Sequence, residues 1–273
     1  MTEFHISPIN RFSFGSRELW RYRELFYFFT WRSIKVRYKQ AVLGVAWAMI
    51  QPLCMLLIFT VIFGKGLNLQ SEGLPYALFA FSGLMIWNFF SNSLLNAASS
   101  MVSHAPIISK IYFPRLIIPI SAILTALFDW LFAFIIWIIL IIYFQQTIVV
   151  SRLIFIPLSI LLAILTSFGL GTLLAALNVK YRDIQYALPF FIQFLLFLNP
   201  VVYSTKAFNN YPITQSIIEL NPIAGAINMM RSVFSHTPID GILICKQFGV
   251  AFILLILGIY VFRKTEAYFA DLA

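Results

Sequence analysis

Long apolar runs separated by short polar stretches set the pattern of this chain. Six runs approach the roughly 20 residues that a helix needs to cross a hydrocarbon core about 30 Å thick. They are 42–63, 76–98, 116–144, 153–177, 184–203 and 247–262. The third is longer than one crossing requires, so its helix has to tilt or project. The sixth is short and is expected to borrow residues from 240–246. Between the fifth and sixth, residues 212–234 are apolar but interrupted by Glu219, Asn221-Pro222 and Arg231. Pro222 disfavours helix at Asn221, which leaves two halves too short to cross alone. Such a segment predicts short re-entrant helices, stable at membrane depth only when buried in protein or lining a wet cavity. The expected fold is an all-α membrane protein with six transmembrane helices.

Ahead of the first run, Leu19, Tyr22, Phe26 and Phe29 recur at i, i+3, i+7 and i+10, with Arg17, Arg21, Glu24 and Arg32 on the opposite side. This spacing predicts a cytoplasmic, interfacial amphipathic helix over 16–40, behind a flexible tail over 1–15. The first fifteen residues hold Glu3, His5, Asn10 and Arg11 and no apolar leader core. Arg32, Lys35, Arg37 and Lys39 then place a dense positive cluster directly before the first span. With six spans and the N-terminus inside, that cluster falls on the cytoplasmic side. Arg11, Arg17, Arg21, Arg23, Lys110, Arg115, Lys180, Arg182, Arg263 and Lys264 fall there too. Only Lys65, Arg152, Lys206, Arg231 and Lys246 are left outside. The positive-inside rule therefore favours six spans with both termini in the cytoplasm.

Composition excludes a soluble domain. The chain is 61% hydrophobic and 11% charged, against about 45–50% and 25% in soluble proteins. Two cysteines make no disulfide framework, and His5, His104 and His236 stand too far apart in sequence to suggest a metal site. No phosphate loop G-x-x-x-x-G-K-[ST] is present: Gly64-Lys65 has Phe59 where the first glycine belongs and Gly66 after the lysine. Nothing here hydrolyses ATP, and the chain is expected not to be an enzyme. Asp129 is the one acid inside a predicted span. A charge there costs about 2.5–3.5 kcal/mol on insertion scales, so it has to face protein or water. Ser167, Gly171 and Ala175 form a small-residue ridge suited to close helix packing.

Six stretches carry a resemblance in order along the chain: "KVRYKQAVLGVAWAMIQP", "GLMIWNFFSNSL", "SKIYFPR", "LNVKYRDI", "LNPVVYS" and "LNPIAGAI". They resemble the permease subunits of polysaccharide and polyol-phosphate ABC exporters, the ABC-2 type family that moves O-antigen, teichoic acid and related glycans. The resemblance implies six spans, an amphipathic helix and re-entrant helices between the last two spans. It also implies a homodimer in the bacterial cytoplasmic (inner) membrane, bound to two copies of a separate ABC ATPase that carries the ATP and Mg. The chain itself would bind no cofactor, metal or nucleic acid, and its cargo would be a lipid-linked glycan.

On that reading two cytoplasmic loops, 99–115 and 178–183, contact the ATPase through Ser103, His104, Lys110, Arg115, Arg182 and Asp183. The cations Arg32, Lys35, Arg37 and Lys39 receive the lipid phosphate. Sugar C–H faces stack on aromatic rings, and the chain is 17% aromatic. A conduit is therefore expected along Trp87, Phe90, Asp129, Phe190, Phe194, Phe197 and Tyr203. Two other classes fit less well. An ion-coupled secondary transporter needs several ionisable groups within the membrane. A membrane-embedded glycan-processing enzyme needs acids or histidines clustered at one face, and the ten acids are scattered.

Overall fold

The structure, a computed structural model, describes residues 16–39, 44–67, 69, 71–205, 211–235 and 240–266. The predicted 1–15 tail, His5, Lys206 and His236 lie outside the described residues. Among the described residues the fold is all helical, with no strand. Two helices, α1 (Ser16–Arg21) and α2 (Arg23–Lys39), precede α3 (Trp47–Phe59), which continues as a π-helical segment, Thr60–Gly66. Then come α4 (Tyr76–Ser103), the single turn α5 (Ala105–Ile108), α6 (Ile117–Tyr143) and α7 (Phe155–Lys180). They are followed by α8 (Ile184–Leu198), α9 (Pro212–Leu220), α10 (Pro222–Ser232) and α11 (Gly241–Thr265).

Among the described residues five helices are long and apolar enough to cross a membrane: Trp47–Gly66, Tyr76–Ser103, Ile117–Tyr143, Val150–Lys180 and Gly241–Thr265. Each lies on a predicted run. The last extends back to Gly241, as its short apolar run required. Asp240 stops it there, its carboxylate accepting from the N–H groups of Ile242 at 2.9 Å and Leu243 at 3.4 Å, a cap that contributes about 1 kcal/mol. In α4, 83% of the spanning window is buried, against 17% in α3 and α11. The bundle is built around α4.

The fifth run departs from expectation. The helix predicted over 184–203 ends at Leu198, giving 15 residues, about 22 Å of helix. Pro200 explains the stop, since the residue before a proline avoids the helical region; Asn199 is extended at φ −93° and ψ 144°. Its side-chain amide turns back to the Leu195 carbonyl at 2.8 Å. The extended stretch continues to the start of α4, where Tyr76 donates to the Val202 carbonyl at 2.9 Å and Ser204 donates to Glu72. At the other end of the bundle Asn178, near the end of α7, donates to the Ala98 carbonyl near the end of α4 at 2.9 Å. Helix α8 and the stretch after it pack beside α4.

Asn221 opens α10. Its carbonyl oxygen Oδ1 accepts from the Ile223 N–H at 2.9 Å, and Pro222 occupies the first helical position, where no N–H is needed. Most of α10 is buried against α4 and α7, whereas α9 is largely exposed. Arg231 fixes α10 in place. It is 6% exposed and donates to the carbonyls of Pro200 (2.7 Å), Val201 (2.6 Å) and Phe79 (3.2 Å), with its guanidinium 3.5 Å from the Phe79 ring centroid. Gly83 makes room for this: a Cβ there would sit 2.7 Å from the Val201 oxygen and 2.8 Å from the guanidinium.

The small-residue ridge of α7 packs within the chain. Ser167, Gly171 and Ala175 are buried, and a Cβ on Gly171 would meet Ala97 of α4 at 2.9 Å. The neighbouring face, absent from the sequence expectation, brings α7 and α11 into backbone contact: a Cβ on Gly258 would lie 2.0 Å from the Gly169 carbonyl oxygen.

Candidate functional site

The segment expected as one amphipathic helix is two helices, α1 and α2, and its apolar residues divide: Trp20, Tyr27, Phe28 and Trp31 are exposed. Leu19 and Phe29 are buried, Tyr22 and Phe26 half-buried, and Arg21, Glu24 and Arg32 exposed. Phe29 meets the rings of His104 and Phe113, each at 5.6 Å, where α4 ends and α6 begins. From there α2 follows α6, so that Arg37 reaches Asp129 midway along it and forms an ion pair. Tyr38 donates its hydroxyl to the other carboxylate oxygen. Burial, together with that hydrogen bond, pushes the Tyr38 phenol up to about 12, so it stays protonated and remains a donor. The acid that had to face protein or water faces both.

Beside this triad opens a cavity of about 380 Å³ between α2, α3, α4 and α6. Asn88, Asn92 and Asn96 enter it from α4 at i, i+4 and i+8, which places them on one face. Gln51 of α3 and Trp130 of α6 complete the polar wall. Among the described residues none of these four amide side chains makes a hydrogen bond, and the buried indole N–H of Trp130 has no partner. A second, smaller cavity of about 170 Å³ shares Arg37 and Asn96 with the first. Ser33, Ser99, Ser103, Ser121 and Thr125 line it with hydroxyls. Polar stripes on α4 (88, 92, 96, 99, 103) and α6 (121, 125, 129) therefore run in parallel, with α2 laid over them. That spacing was present in the sequence and went unread, apart from Asp129.

The residues expected to couple to an ATPase fall at one end of the bundle. The α4–α5 turn and the α7–α8 turn converge on a cleft of about 440 Å³ lined by Val102, Pro106, Asn178, Arg182 and Tyr186 among others. Ser103 is not in its lining; it lines the smaller cavity and donates to the Ser99 carbonyl at 3.0 Å. His104 Nδ1 lies 2.8 Å from the Ser100 carbonyl, a donor contact that ties the ring to its own helix. Arg182 and Asp183 are exposed and do not pair with each other. Lys110 is exposed, whereas Arg115 donates to the Glu266 carbonyl and so links the start of α6 to the end of α11.

The basic cluster divides. Arg32, Lys35 and Lys39 are exposed and make no hydrogen bond or ion pair among the described residues; Arg37 alone is committed to Asp129. The expected conduit residues occupy three separate places. Trp87 and Phe90 lie in the apolar core, ring to ring at 5.6 Å. Asp129 lines the polar cavity. Phe190, Phe194 and Phe197 form an outward stripe on α8, and Tyr203 donates to the Phe197 carbonyl at 3.0 Å just beyond it.

Comparison with known proteins adds an independent line. The ABC-2 type transporter family matches residues 24–235. Two proteins named O-antigen export system permease protein RfbA from Klebsiella pneumoniae are 27% and 28% identical over 242 residues, 88% of this chain and 92% of each relative. A protein of the same name from Myxococcus xanthus is 25% identical over 256 residues, 93% of this chain and 97% of the relative.

Proposed function

Since the chain belongs to the ABC-2 type transporter family, we propose that it is the membrane permease subunit of an ABC exporter for a lipid-linked polysaccharide of O-antigen type. The observation that carries this reading is the match of nearly the whole chain to permeases of O-antigen export systems. The cleft between the two turns supports it, since a single ATPase segment seated there touches both at once. Short turns between long helices transmit a rigid push with little slack. The ATPase is a separate chain that carries ATP and Mg.

In this reading the permease crosses the inner membrane six times, the sixth crossing being α8 together with 199–204, and α9 with α10 form the re-entrant pair. Both termini and the cleft face the cytoplasm. The permease is a homodimer, and the outward α8 stripe of Phe190, Phe194 and Phe197, with Tyr203, faces the cargo between two copies. Arg32, Lys35 and Lys39 receive the lipid phosphate.

Deleting the gene and analysing lipid-linked glycans tests the reading. Accumulation of one lipid-linked glycan inside the cell, reversed by the wild-type gene, is the expected outcome. An unchanged glycan profile would overturn it.

A further inference from the structure

The cavity beside the Arg37–Asp129 pair has a distinct chemistry. Its walls combine polar groups left without partners with aromatic surface from Trp130 and Phe89. Asn88, Asn92 and Asn96 are half-buried and Gln51 is exposed, so their amides stay open to the cavity without a partner among the described residues and offer donors and acceptors to a polar molecule that enters it. The volume, about 380 Å³, falls within the roughly 300–1,000 Å³ of small-ligand sites.

Charge selects the class of occupant. Among the described residues Arg37 is the one cation lining the cavity, and Asp129 pairs with it. An anion entering would have to break that pair and then meet the carboxylate. Neutral amides offer two donors and a carbonyl acceptor on one planar group, which suits adjacent hydroxyls that both give and accept. Successive asparagines on α4 stand about 6 Å apart along the helix axis, so Asn88 and Asn92 can hold one small ring between them. The free cations Arg32, Lys35 and Lys39 lie elsewhere on α2, outside this lining.

We propose that this cavity is a binding site for a single neutral pyranose unit, held by Asn88, Asn92 and Gln51 against Trp130, with the Arg37–Asp129 pair as its charge-neutral wall. It separates sugar recognition, inside one protomer, from phosphate recognition on the exposed basic face. The proposal rests on the glycan-export reading, and its test is chosen to fail separately from it.

The test uses the full chain in lipid nanodiscs. Saturation-transfer NMR is recorded with methyl α-glucoside, methyl α-galactoside and methyl α-mannoside, and phosphorus line broadening with inorganic phosphate. Transfer to the ring protons of at least one pyranoside is expected. Its binding should weaken about tenfold in the Asn88→Leu/Asn92→Leu variant and stay unchanged in Lys35→Gln/Lys39→Gln. Should the double leucine variant fail to insert, Asn92→Leu alone replaces it. No transfer from any of the three, transfer unchanged by the leucines, or displacement of the sugar by phosphate overturns the proposal. Glycan export in cells carrying the wild-type chain is scored in parallel. If export fails, the export reading falls; if export is normal and no pyranoside binds, only the cavity proposal falls.

Discussion

Two arginines, Arg231 and Arg37, stand against the helices of this bundle in opposite circumstances. Arg231 is enclosed, its donors spent on the carbonyls of Phe79, Pro200 and Val201 and its plane laid on Phe79. Arg37 is more than a third exposed, holds one carboxylate, and borders a space lined by amides that hold nothing. Around Arg231 every group fits because the backbone was shaped to it, down to the missing side chain at Gly83. Around Arg37 polar groups are arranged but unused. The first arrangement fixes α10 and the 199–204 stretch; the second keeps a polar space open inside an apolar bundle. A satisfied buried charge reads as architecture, and a set of unsatisfied neighbours reads as a site.

The largest expected effect is at Arg231. Arg231→Met leaves the Pro200 and Val201 carbonyls buried without donors, at about 1–3 kcal/mol each. The midpoint of heat-induced aggregation in detergent should fall steeply, or monodisperse protein should be lost. A midpoint near wild type would erase the contrast. Next is Gly83→Ala, which forces a methyl against the Val201 oxygen and the guanidinium and should cost about 1–3 kcal/mol by the same assay. Third is the open region. Arg37→Ala strands the Asp129 carboxylate and should destabilise by about 1 kcal/mol, with Asp129→Asn restoring most of the loss in the double variant. Additive losses would mean that the pair does not couple.

Smaller still, Asn92→Leu should leave stability within about 0.5 kcal/mol, because its amide gives up no partner. A loss comparable to Gly83→Ala would show that the amide is structural. The smallest effect on stability is expected for Lys35→Gln/Lys39→Gln, where both side chains are exposed and uncommitted. Insertion and melting should match wild type while glycan export slows. Export at the wild-type rate would leave these lysines with a role in topology alone.

Much of the fold was legible because long apolar runs have few alternatives to membrane helices. The buried positions Leu19 and Phe29 and the backward extension of α11 could be read from local spacing and from the length that a span requires. The site was legible only in fragments. Asp129 stood out as an acid among apolar residues, but its partners come from a helix some ninety residues away, and periodicity within α6 says nothing about them. Arg231 read as an exterior charge because its burial depends on a stretch that folds back from the end of α8. Trp87 and Phe190 were grouped by residue type, yet one points into the core and the other outward. Periodicity identifies a shared face and not what that face meets.

The contact between Gly169 and Gly258 has a mechanical consequence. At this crossing backbone meets backbone with no side chain between α7 and α11, so the two helices are held in register there. α7 packs on α4 and α10 as well, so α4, α7, α10 and α11 interlock as one body. α3 and α8 touch that body far less and lie at its margin.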